Sequence, residues 1–407
     1  MRFSRRDWFK SAGAASALPL TLWGSGPLAA SPLPNSNEAA HYAAESLACD
    51  IVVAGGGLAG VCAALAAARN GARVVLIQDR SRLGGNASSE IRMHVLGANS
   101  HSPLQRWRET GVIEELKLLD AAFNQQRSFE TWDLLLYDKV VSEPNIALWL
   151  DTSVIGARVS RGQIREVTAI SPLLEMGLKV EARYFIDCTG DSSLAYHAGA
   201  EIMRGREASH TYGESLAPEQ SDLKTMGNSI LFFSRNYERA MPFLKPAWAK
   251  TYSEEDFIHR PIRSWEYGYW WIEWGGEMDT IADNRQIRHE LLSMVLGIWD
   301  YIKNSGRFPE SATWALQWVG MIPGKRESRR VRGEHVLTQQ EVEAAELFPD
   351  RVAYGGWPMD DHPPCGMGCP SQQPFRSIKL KQPYSIPLRS LYRDRKSTRL
   401  NSSHRIR

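Results

Sequence analysis

Length, composition and charge limit what this protein can be. The chain has 407 residues, of which 43% are hydrophobic and 23% are charged, so it can bury a sizeable core and is too long for one average domain. Its formal net charge is +2 and the basic excess lies at the two ends, which excludes nucleic acid as an expected partner.

The N-terminal segment is typical of an export signal. Arg5 and Arg6 stand together in SRRDWFK, ahead of a moderately apolar run of small residues, and this pattern resembles a twin-arginine signal. Glycine and proline interrupt the run, which argues against a membrane span or a stable membrane anchor. We expect a cleaved signal over residues 1–30, a linker over 31–48, and a periplasmic or secreted protein. The alternative is an ordinary basic N-terminus.

The stretch CDIVVAGGGLAGVCAALAAARNGARVVLIQDR carries the strongest local signal. Its apolar runs predict two buried parallel strands, 51–54 and 73–77, with a helix over 61–69 between them. Three glycines follow the first strand at G-x-G-x-x-G spacing, which predicts a dinucleotide-binding turn. In this turn Gly55 permits the tight bend, Gly57 lets the backbone approach a pyrophosphate, and Gly60 lets the helix pack closely on the strand.

The end of the second strand departs from the usual pattern. An acidic residue is expected there to bind the ribose hydroxyls, but Gln78 takes this position and Asp79 follows it. Gln78 can still form a hydrogen bond, or it can be a generic strand end. Farther on, RSRLGGNASSEIRMH places small residues where backbone can lie close to a flat ring, and YFIDCTGDSSLAYHAGA predicts another strand and helix.

Together these segments resemble FAD-dependent oxidoreductases of the glutathione-reductase-like group. A closer resemblance is to a family of FAD-dependent oxidoreductases, many of them secreted, that is grouped with the heterodisulfide-reductase-A-like flavoproteins. It extends from about Ile51 to Tyr392 and is carried by LGGNASSEIR, DCTGDSSLA, WWIEWGGEMDTI, GKRESRR and YGGWPMDDHPP. The cysteine cluster of the heterodisulfide reductase flavoproteins is absent from this sequence, so neither an iron–sulfur centre nor another metal is expected.

The resemblance implies an α/β fold with FAD as cofactor. A Rossmann-like FAD-binding domain with a βαβ parallel sheet would cover 49–200 and return over 322–393, and a second, α+β substrate domain would cover 201–321. It also implies the cofactor-binding residues, which are Gly55, Gly57, Gly60, Gln78, Asp79, Gly84, Gly85, Asn86, Ala87, Val154, Gly190 and Asp191.

Each group of these residues has an implied contact. The first three glycines would face the pyrophosphate and Gln78 or Asp79 the adenosine ribose. Residues 84–87 would lie toward the flavin, and Asp191 would contact the ribityl chain or pyrophosphate. The segment NIALWLDTSVIGARV alternates well and predicts one strand, whose backbone at Val154 would meet the adenine. The alternatives are turn chemistry for the glycines and helix capping for Asp191.

The middle of the chain is rich in aromatic residues. If SWEYGYWWIEWGG is a strand, Trp265, Tyr267 and Tyr269 share one face and could wall a cleft for sugar rings or a flat aromatic substrate. A core layer is the alternative. The segment DNRQIRHELLSMVLGIWDYIKNSG has apolar residues at helical spacing and predicts an amphipathic helix.

Three residues are candidates for catalysis beside a flavin. His94 in EIRMH and His362 in PMDDHPP could act as bases, and Arg326 in PGKRESRR could bind an anionic reduced ring or an acidic substrate. The alternatives are structural histidines and a solvated charge run. Cys365 and Cys369 in CGMGC form the one local cysteine pair among five cysteines and make a weak zinc candidate.

The C-terminal tail does not resemble the rest of the chain. Residues 394–404 back-translate codon by codon to a common short-read sequencing adapter, so we expect 394–407 not to belong to the natural protein. The strand and helix that close the flavin site in the family would then be missing. We expect the neighbouring sheet to lose an element, and this chain to bind FAD poorly, to fold incompletely or to be inactive.

The sequence therefore predicts an exported FAD-dependent oxidoreductase. It would oxidise or reduce a small organic, possibly sugar-like, substrate by hydride transfer to or from flavin. One alternative is a heterodisulfide-reductase-like electron-transfer flavoprotein with a redox-active CGMGC pair, and another is a non-catalytic carbohydrate-binding protein. The substrate, electron acceptor and oligomeric state stay open.

Overall fold

The computed structural model describes residues 43–96, 110–392 and 399–401. The predicted signal segment, with Arg5 and Arg6, and most of the predicted linker lie outside these residues.

The described residues of the first 200 positions form both strands and helices, and those that follow form mainly short strands. The strands are β1 (Ala43–Ala48), β2 (Ile51–Ala54), β3 (Val74–Ile77), β4 (Ile146–Trp149), β5 (Ser153–Ser160), β6 (Gln163–Ser171), β7 (Met176–Glu181), β8 (Tyr184–Asp187), β9 (Ile202–Met203), β10 (Asn228–Ser229), β11 (Phe232–Asn236), β12 (Glu273–Trp274), β13 (Trp314–Val319), β14 (Arg330–Val331), β15 (Arg351–Gly355), β16 (Met359–Asp361), β17 (Arg376–Ile378), β18 (Tyr384–Pro387) and β19 (Arg399–Asn401). The α-helices are α1 (Leu58–Arg69), α2 (Val112–Phe123), α3 (Phe129–Val141), α4 (Ser193–His197), α5 (Ser209–Tyr212), α6 (Asn284–Asn304) and α7 (Gln339–Ala344). Short 3₁₀ helices lie at Gly85–Ala87, Glu254–Phe257, Pro309–Thr313, Gly366–Gly368 and Leu388–Ser390.

A five-stranded parallel sheet with the order β19-β8-β2-β3-β4 organises the first part of the fold. Side chains alternate across it, so Val53 and Leu76 pack with helices α1 to α3 on one face. Val52 and Ile77 pack on the other face against the four-stranded sheet β1-β7-β6-β5. Both faces are covered, as parallel strands require, and the predicted Rossmann-like α/β class is confirmed.

Two boundaries differ from the sequence-based prediction. Ala43–Ala48, placed in the linker, pairs in parallel with β7 from Ala43 opposite Met176; its side chains are mostly exposed, so no apolar pattern indicated a strand. The stretch predicted as one strand around Val154 is two strands, β4 and β5, in different sheets. Between them Asp151 has a φ of 52°, a left-handed conformation that ends an extended segment.

Three residues of the predicted foreign tail belong to the sheet. Arg399–Asn401 forms β19 and pairs in parallel with β8, with Arg399 opposite Phe185. The expected loss of an element at this edge is therefore wrong for the described residues. An open sheet edge pairs through backbone groups and needs no particular side-chain pattern.

A second core surrounds helix α6. Its residues Ile287, Leu291, Val295 and Ile298 are fully buried, which confirms the predicted amphipathic helix. Phe232 of β11 packs edge-on against Trp299 of this helix at 5.5 Å between ring centroids. Most strands beyond β8 form two-stranded antiparallel pairs, which agrees with a second region of α+β character. No helix within the described ranges is long and apolar enough to span a membrane.

Candidate active site

Three glycines follow β2 at the carboxyl edge of the parallel sheet. Gly55 has a φ of 97°, and a Cβ there would overlap the carbonyl oxygen of Cys188. A Cβ on Gly60 would overlap the carbonyl oxygen of Gly55. A Cβ on Gly57 would meet no atom within 4 Å, so the loop is open only at this glycine, which is the N-cap of α1. A phosphate placed there would face free N–H groups at the positive end of the helix.

A cavity of about 630 Å³ lies over this loop. Its walls include every predicted cofactor residue except Gly60, namely Gly55, Gly57, Gln78, Asp79, Gly84, Gly85, Asn86, Ala87, Val154, Gly190 and Asp191. Gly60 does not line this cavity, so its predicted contact with the pyrophosphate stays a prediction. Gly60 is buried against Gly55 and allows close packing of helix α1 on the sheet, which was its other predicted role.

The side chains of Gln78 and Asp79 have different surroundings: one is buried and the other is exposed. Gln78 is 4% exposed, and its Oε1 accepts a hydrogen bond from the backbone N–H of Gly56 at 2.7 Å. Its Nε2 donates to the carbonyl of Arg82 at 3.0 Å. Asp79 is exposed at the cavity. Gln78 thus holds the glycine loop in place, and Asp79 is the carboxylate available to ribose hydroxyls.

The second glycine pair begins a tight turn beneath the cavity. Gly84 has a φ of 103° and Gly85 a φ of 59°, and Gly84 forms a parallel bridge with Gly57. The side chain of Asn86 donates from Nδ2 to the carbonyl oxygen of Lys325 at 3.0 Å. This bond joins the turn to a segment 239 residues away, so the two walls of the cavity are fixed to each other.

Asp191 is not a helix cap, because Ser192 holds the N-cap position of α4. Its carboxylate forms an ion pair with Nζ of Lys325 at 2.6 Å and accepts a hydrogen bond from Oγ of Ser328 at 2.7 Å. Lys325 and Ser328 line the cavity and were not predicted, because the sequence shows only a charge run. Lys325 adds a cation beside a carboxylate, a suitable surface for phosphate and sugar hydroxyls together.

The residues present fit FAD, the cofactor that the sequence resemblance implies. The open glycine at the N-terminus of α1 suits a pyrophosphate, Asp79 suits a ribose, and Lys325 supplies a positive charge. The small residues at 84–87 line the cavity and leave room for a flat ring beside them.

A second cavity, of about 310 Å³, adjoins the first. Asn86, Met93 and Arg326 line both, and this places the second cavity at the end of the first that Asn86 and Ala87 form. Its remaining walls include Trp357, Asp360 and His362. A small molecule there would lie beside the ring end of the cofactor cavity.

A buried charge cluster forms one wall of this second cavity. Glu273 of β12 is 2% exposed and His362 is 3% exposed. The Nδ1 of His362 lies 2.8 Å from Oε2 of Glu273, and its Nε2 lies 3.2 Å from Oδ2 of Asp360. The Nη2 of Arg326 lies 3.6 Å from the same oxygen of Glu273. Two carboxylates and two basic groups therefore alternate from Asp360 to Arg326.

The cluster favours the protonated form of His362. Burial lowers the pKa of its imidazole, but the hydrogen bonds to Asp360 and Glu273 and the charge of Glu273 outweigh burial and raise the pKa above its ordinary value. Both ring nitrogens then donate to carboxylates. The prediction of His362 at the site is supported by its position, whereas its predicted role as a base does not fit a ring without a free lone pair.

Three side-chain atoms of the cluster are buried and lack a hydrogen-bond partner among the described residues: Oδ1 of Asp360, Nε of Arg326 and Oε1 of Glu273. Asp360 supplies an acceptor and Arg326 a donor, and these two residues line the second cavity, whereas Glu273 does not. A buried polar group without a partner is costly and needs an explanation. A ligand group that both donates and accepts a hydrogen bond, such as a hydroxyl or an amine, would satisfy them together.

His94 lies elsewhere. Its ring stacks on Phe129 with centroids 5.7 Å apart, and it lines the cofactor cavity but not the second cavity. Its neighbour Arg92 lies over the ring of Trp318 at 4.3 Å and forms an ion pair with Glu130. Of the three predicted catalytic residues, the structure brings His362 and Arg326 together through Glu273 and leaves His94 apart.

The aromatic segment does not form the predicted strand. Only Glu273 and Trp274 are extended as a strand there, and Tyr269 stacks on Trp271 with centroids 4.6 Å apart within the core around α6. Trp265 packs against Phe308 in the same core. The core-layer alternative therefore describes most of these residues. Trp270 is the exception, with its ring 5.4 Å from that of His362.

The cysteines of CGMGC form a disulfide, Cys365–Cys369, so they are not zinc ligands. The loop is wrapped around Arg260, which is fully buried and donates to the carbonyls of Gly366, Cys369, Pro370 and Gln372. Neither cysteine lines the cofactor cavity or the second cavity. No group of three or more His, Cys, Asp or Glu side chains in the described residues is arranged to hold a metal ion.

One comparison with known proteins identifies a family. A family model described as FAD dependent oxidoreductase matches residues 50–405. No curated protein matches the chain significantly. Among solved structures, the chain is similar to L-proline dehydrogenase from P. horikoshii, with 19% identity, a TM-score of 0.23, and 36% of this chain matched to 23% of that one.

Two further structures show the same distant likeness. The myxobacterial halogenase CndH, a variant of FAD-dependent halogenases, has 15% identity, a TM-score of 0.30, and 48% of this chain matched to 46% of that one. The OxyS anhydrotetracycline hydroxylase from Streptomyces rimosus has 14% identity, a TM-score of 0.31, and 48% matched to 39%. The chain thus spans less than half the length of each of the three structures, and likenesses this distant carry no argument about activity.

Proposed function

Since the chain belongs to the family of FAD dependent oxidoreductases, we propose that it oxidises a small organic substrate that carries a hydroxyl or amine on the oxidised carbon. The substrate would occupy the 310 Å³ cavity beside the ring end of the FAD cavity. One observation supports this choice most strongly. Asp360, which has an unpartnered acceptor, and Arg326, which has an unpartnered donor, both line this cavity, and a hydroxyl or amine is the simplest group that would bind to both.

Each residue of the cluster then has a distinct task. Arg326 donates a hydrogen bond to the substrate oxygen or nitrogen, and Asp360 accepts the proton of the same group as its carbon is oxidised. The protonated His362 fixes the carboxylate of Asp360 through Nε2 and is itself held by Glu273 through Nδ1.

When bound, FAD would take the hydride, and with it two electrons, from the substrate carbon. The C–H and O–H (or N–H) bonds break, a C=O (or C=N) bond forms, and the proton of the hydroxyl or amine passes to Asp360. Arg326 lines both cavities, so its positive charge stabilises the negative charge that moves from substrate to ring.

The test is anaerobic reduction of the FAD-loaded chain by a panel of alcohols and amines. The readout is the loss of the absorbance of oxidised flavin. We expect at least one alcohol or amine to bleach the flavin, and the Asp138→Asn variant to behave like the wild type because Asp138 is exposed on helix α3 and lines neither cavity. If dithionite bleaches the flavin but no alcohol, amine or sugar does, the proposed reaction is wrong.

Export is also part of the proposal. The paired Arg5 and Arg6 and the Cys365–Cys369 disulfide both support it, because structural disulfides persist in oxidising compartments. Fractionation of cells that express the full chain should place the protein outside the cytoplasm, and replacement of both arginines by lysine should retain it inside. Equal export of the double variant would contradict the proposal.

A further inference from the structure

A third cavity, of about 150 Å³, is lined in part by residues 359–361 of strand β16, and we call it the distal cavity. It does not share a lining residue with the FAD cavity, but it shares Met359 and Asp360 with the substrate cavity. The distal cavity and the substrate cavity therefore adjoin at these two residues.

The walls of this distal cavity are mostly apolar. Leu216, Ala217, Pro218, Val336 and Leu337 contribute aliphatic surface, and Met359 is 6% exposed. This lining favours a hydrocarbon group over a hydrated one, since burial of apolar surface is the main gain available there.

Most charged side chains at the distal cavity already have a partner, and the carboxylate of Asp361 is exposed. Arg330 donates to Glu207 at 2.6 Å and Arg206 forms an ion pair with Asp222. Glu214 accepts a hydrogen bond from the backbone N–H of Gln339 at 2.8 Å. A sugar ring would find few unpaired donors and acceptors here, so its hydroxyls would lose water without replacement.

The size of the distal cavity limits the group that it can hold. Engineered apolar cavities of about 150 Å³ in another protein stay dry and bind benzene. A single six-membered ring, or a branched alkyl group of that volume, therefore fills the distal cavity, whereas a polycyclic group does not fit.

From this arrangement we propose that the distal cavity is a second subsite for the substrate, and that the substrate is an alcohol or amine bearing one ring-sized apolar group. This rests on the proposed function, because the hydroxyl or amine lies at Asp360 and Arg326 as described above. The apolar group enters the distal cavity beyond Met359. The two cavities together select a molecule with a polar end and a hydrocarbon end, and they select against free sugars.

The test uses benzyl alcohol as the probe, with ethanol and glucose at the same concentration, on the FAD-loaded full chain. One readout is the thermal unfolding midpoint, which a bound ligand raises. The other is anaerobic flavin bleaching. We expect benzyl alcohol to raise the midpoint, and ethanol and glucose to leave it unchanged.

Two variants locate the binding. Ala217→Phe fills the distal cavity and should weaken benzyl alcohol binding by about 10-fold or more, whereas the matched Ala240→Phe, at an exposed position, should leave it unchanged. Leu337→Ala enlarges the cavity and should let the larger naphthylmethanol raise the midpoint. If Ala217→Phe does not fold, the result with Leu337→Ala decides.

The outcomes separate the two proposals. Benzyl alcohol that stabilises Ala217→Phe as much as wild type, or ethanol that stabilises as strongly as benzyl alcohol, overturns the distal subsite. Bleaching by ethanol with no effect of Ala217→Phe leaves the proposed oxidation standing and removes the subsite. Stabilisation by benzyl alcohol without bleaching by any alcohol or amine removes the oxidation and leaves an apolar binding site.

Discussion

The two cavities that meet at Asn86 and Arg326 are built in different ways. The phosphate end of the FAD cavity comes from a short stretch of chain, in which Gly55, Gly57 and Gln78 lie within 24 residues of one another. The wall of the substrate cavity joins Arg326 and His362 through Glu273, which precedes His362 by 89 residues. The first cavity depends on backbone conformation, whereas the second depends on long-range pairing of buried charges.

This difference predicts that substitutions in the two regions fail in different ways. A change in the glycine loop should alter folding or cofactor binding before chemistry is reached. A change in the charge cluster should leave the cofactor bound and slow the reaction.

The largest effect is expected for Gly60→Ala. Its Cβ would overlap the carbonyl oxygen of Gly55, and because this atom belongs to the backbone, relief requires helix α1 to move. We expect a loss of about 3 kcal/mol or more in the free energy of unfolding, with loss of FAD binding, measured by urea unfolding and flavin titration. The Cβ of the matched variant Gly57→Ala meets no atom. This variant should therefore keep the stability of the wild type and should bind FAD, with lower affinity than the wild type. Equal stability of both variants would contradict the distinction.

A smaller effect, on rate alone, is expected for Asp360→Asn. The amide cannot accept the substrate proton as a carboxylate does, so flavin reduction should slow by about 10²- to 10⁴-fold with unchanged FAD affinity. Stopped-flow absorbance measures the rate, and Asp138→Asn, at an exposed position on helix α3, is the matched control. A variant that retains full rate would show that Asp360 does not take the proton.

Gln78→Ala tests whether Gln78 stabilises the glycine loop at residues 55–57 without contacting the cofactor itself. The variant leaves the buried N–H of Gly56 and the carbonyl of Arg82 without their partner. We expect a loss of about 1–3 kcal/mol in the free energy of unfolding of the apoprotein. Asp79→Asn, in contrast, should weaken FAD binding with little change in stability. If Gln78→Ala changed only FAD affinity, Gln78 would be a direct cofactor contact after all.

The smallest effect concerns pH. The folded state raises the pKa of His362 above the ordinary value of 6.5, so the folded protein holds this proton more tightly than the unfolded chain. The stability that results is fully present below pH 6.5 and is lost as the pH rises through the raised pKa. The difference in unfolding free energy between wild type and His362→Gln should therefore shrink with rising pH. If this difference in unfolding free energy grew with pH, the pKa of His362 would be lowered by folding instead of raised.

The contrast between local and long-range contacts also explains which features the sequence could predict. The strand, glycine turn and helix around Gly57 follow from local periodicity and spacing, and α6 follows from its apolar stripe. The pairing of Lys325 with Asp191 spans 134 residues, and no local rule relates the two. Glu273 is not among the residues predicted for the site, although the sequence carries a signal for it. A single carboxylate among the aromatics of WWIEWGG is expected to be buried and therefore paired.

The sequence indicates His362 in PMDDHPP as a catalytic candidate, but its role depends on the groups that lie opposite its ring. A histidine next to aspartates can be a base, an acid or a structural cation. The choice follows from Glu273 at 2.8 Å, which the chain brings there only when β12 and the loop after β16 are assembled.

The buried guanidinium of Arg260 has a consequence for the order of events during folding. Its four hydrogen bonds to carbonyls of residues 366–372 fix the path of the loop independently of the bond between Cys365 and Cys369. The two thiols are therefore brought within bonding reach by a cation from a distant part of the chain. Oxidation then locks a shape that already exists, and we expect a Cys365→Ser, Cys369→Ser chain to keep its loop as long as Arg260 is present.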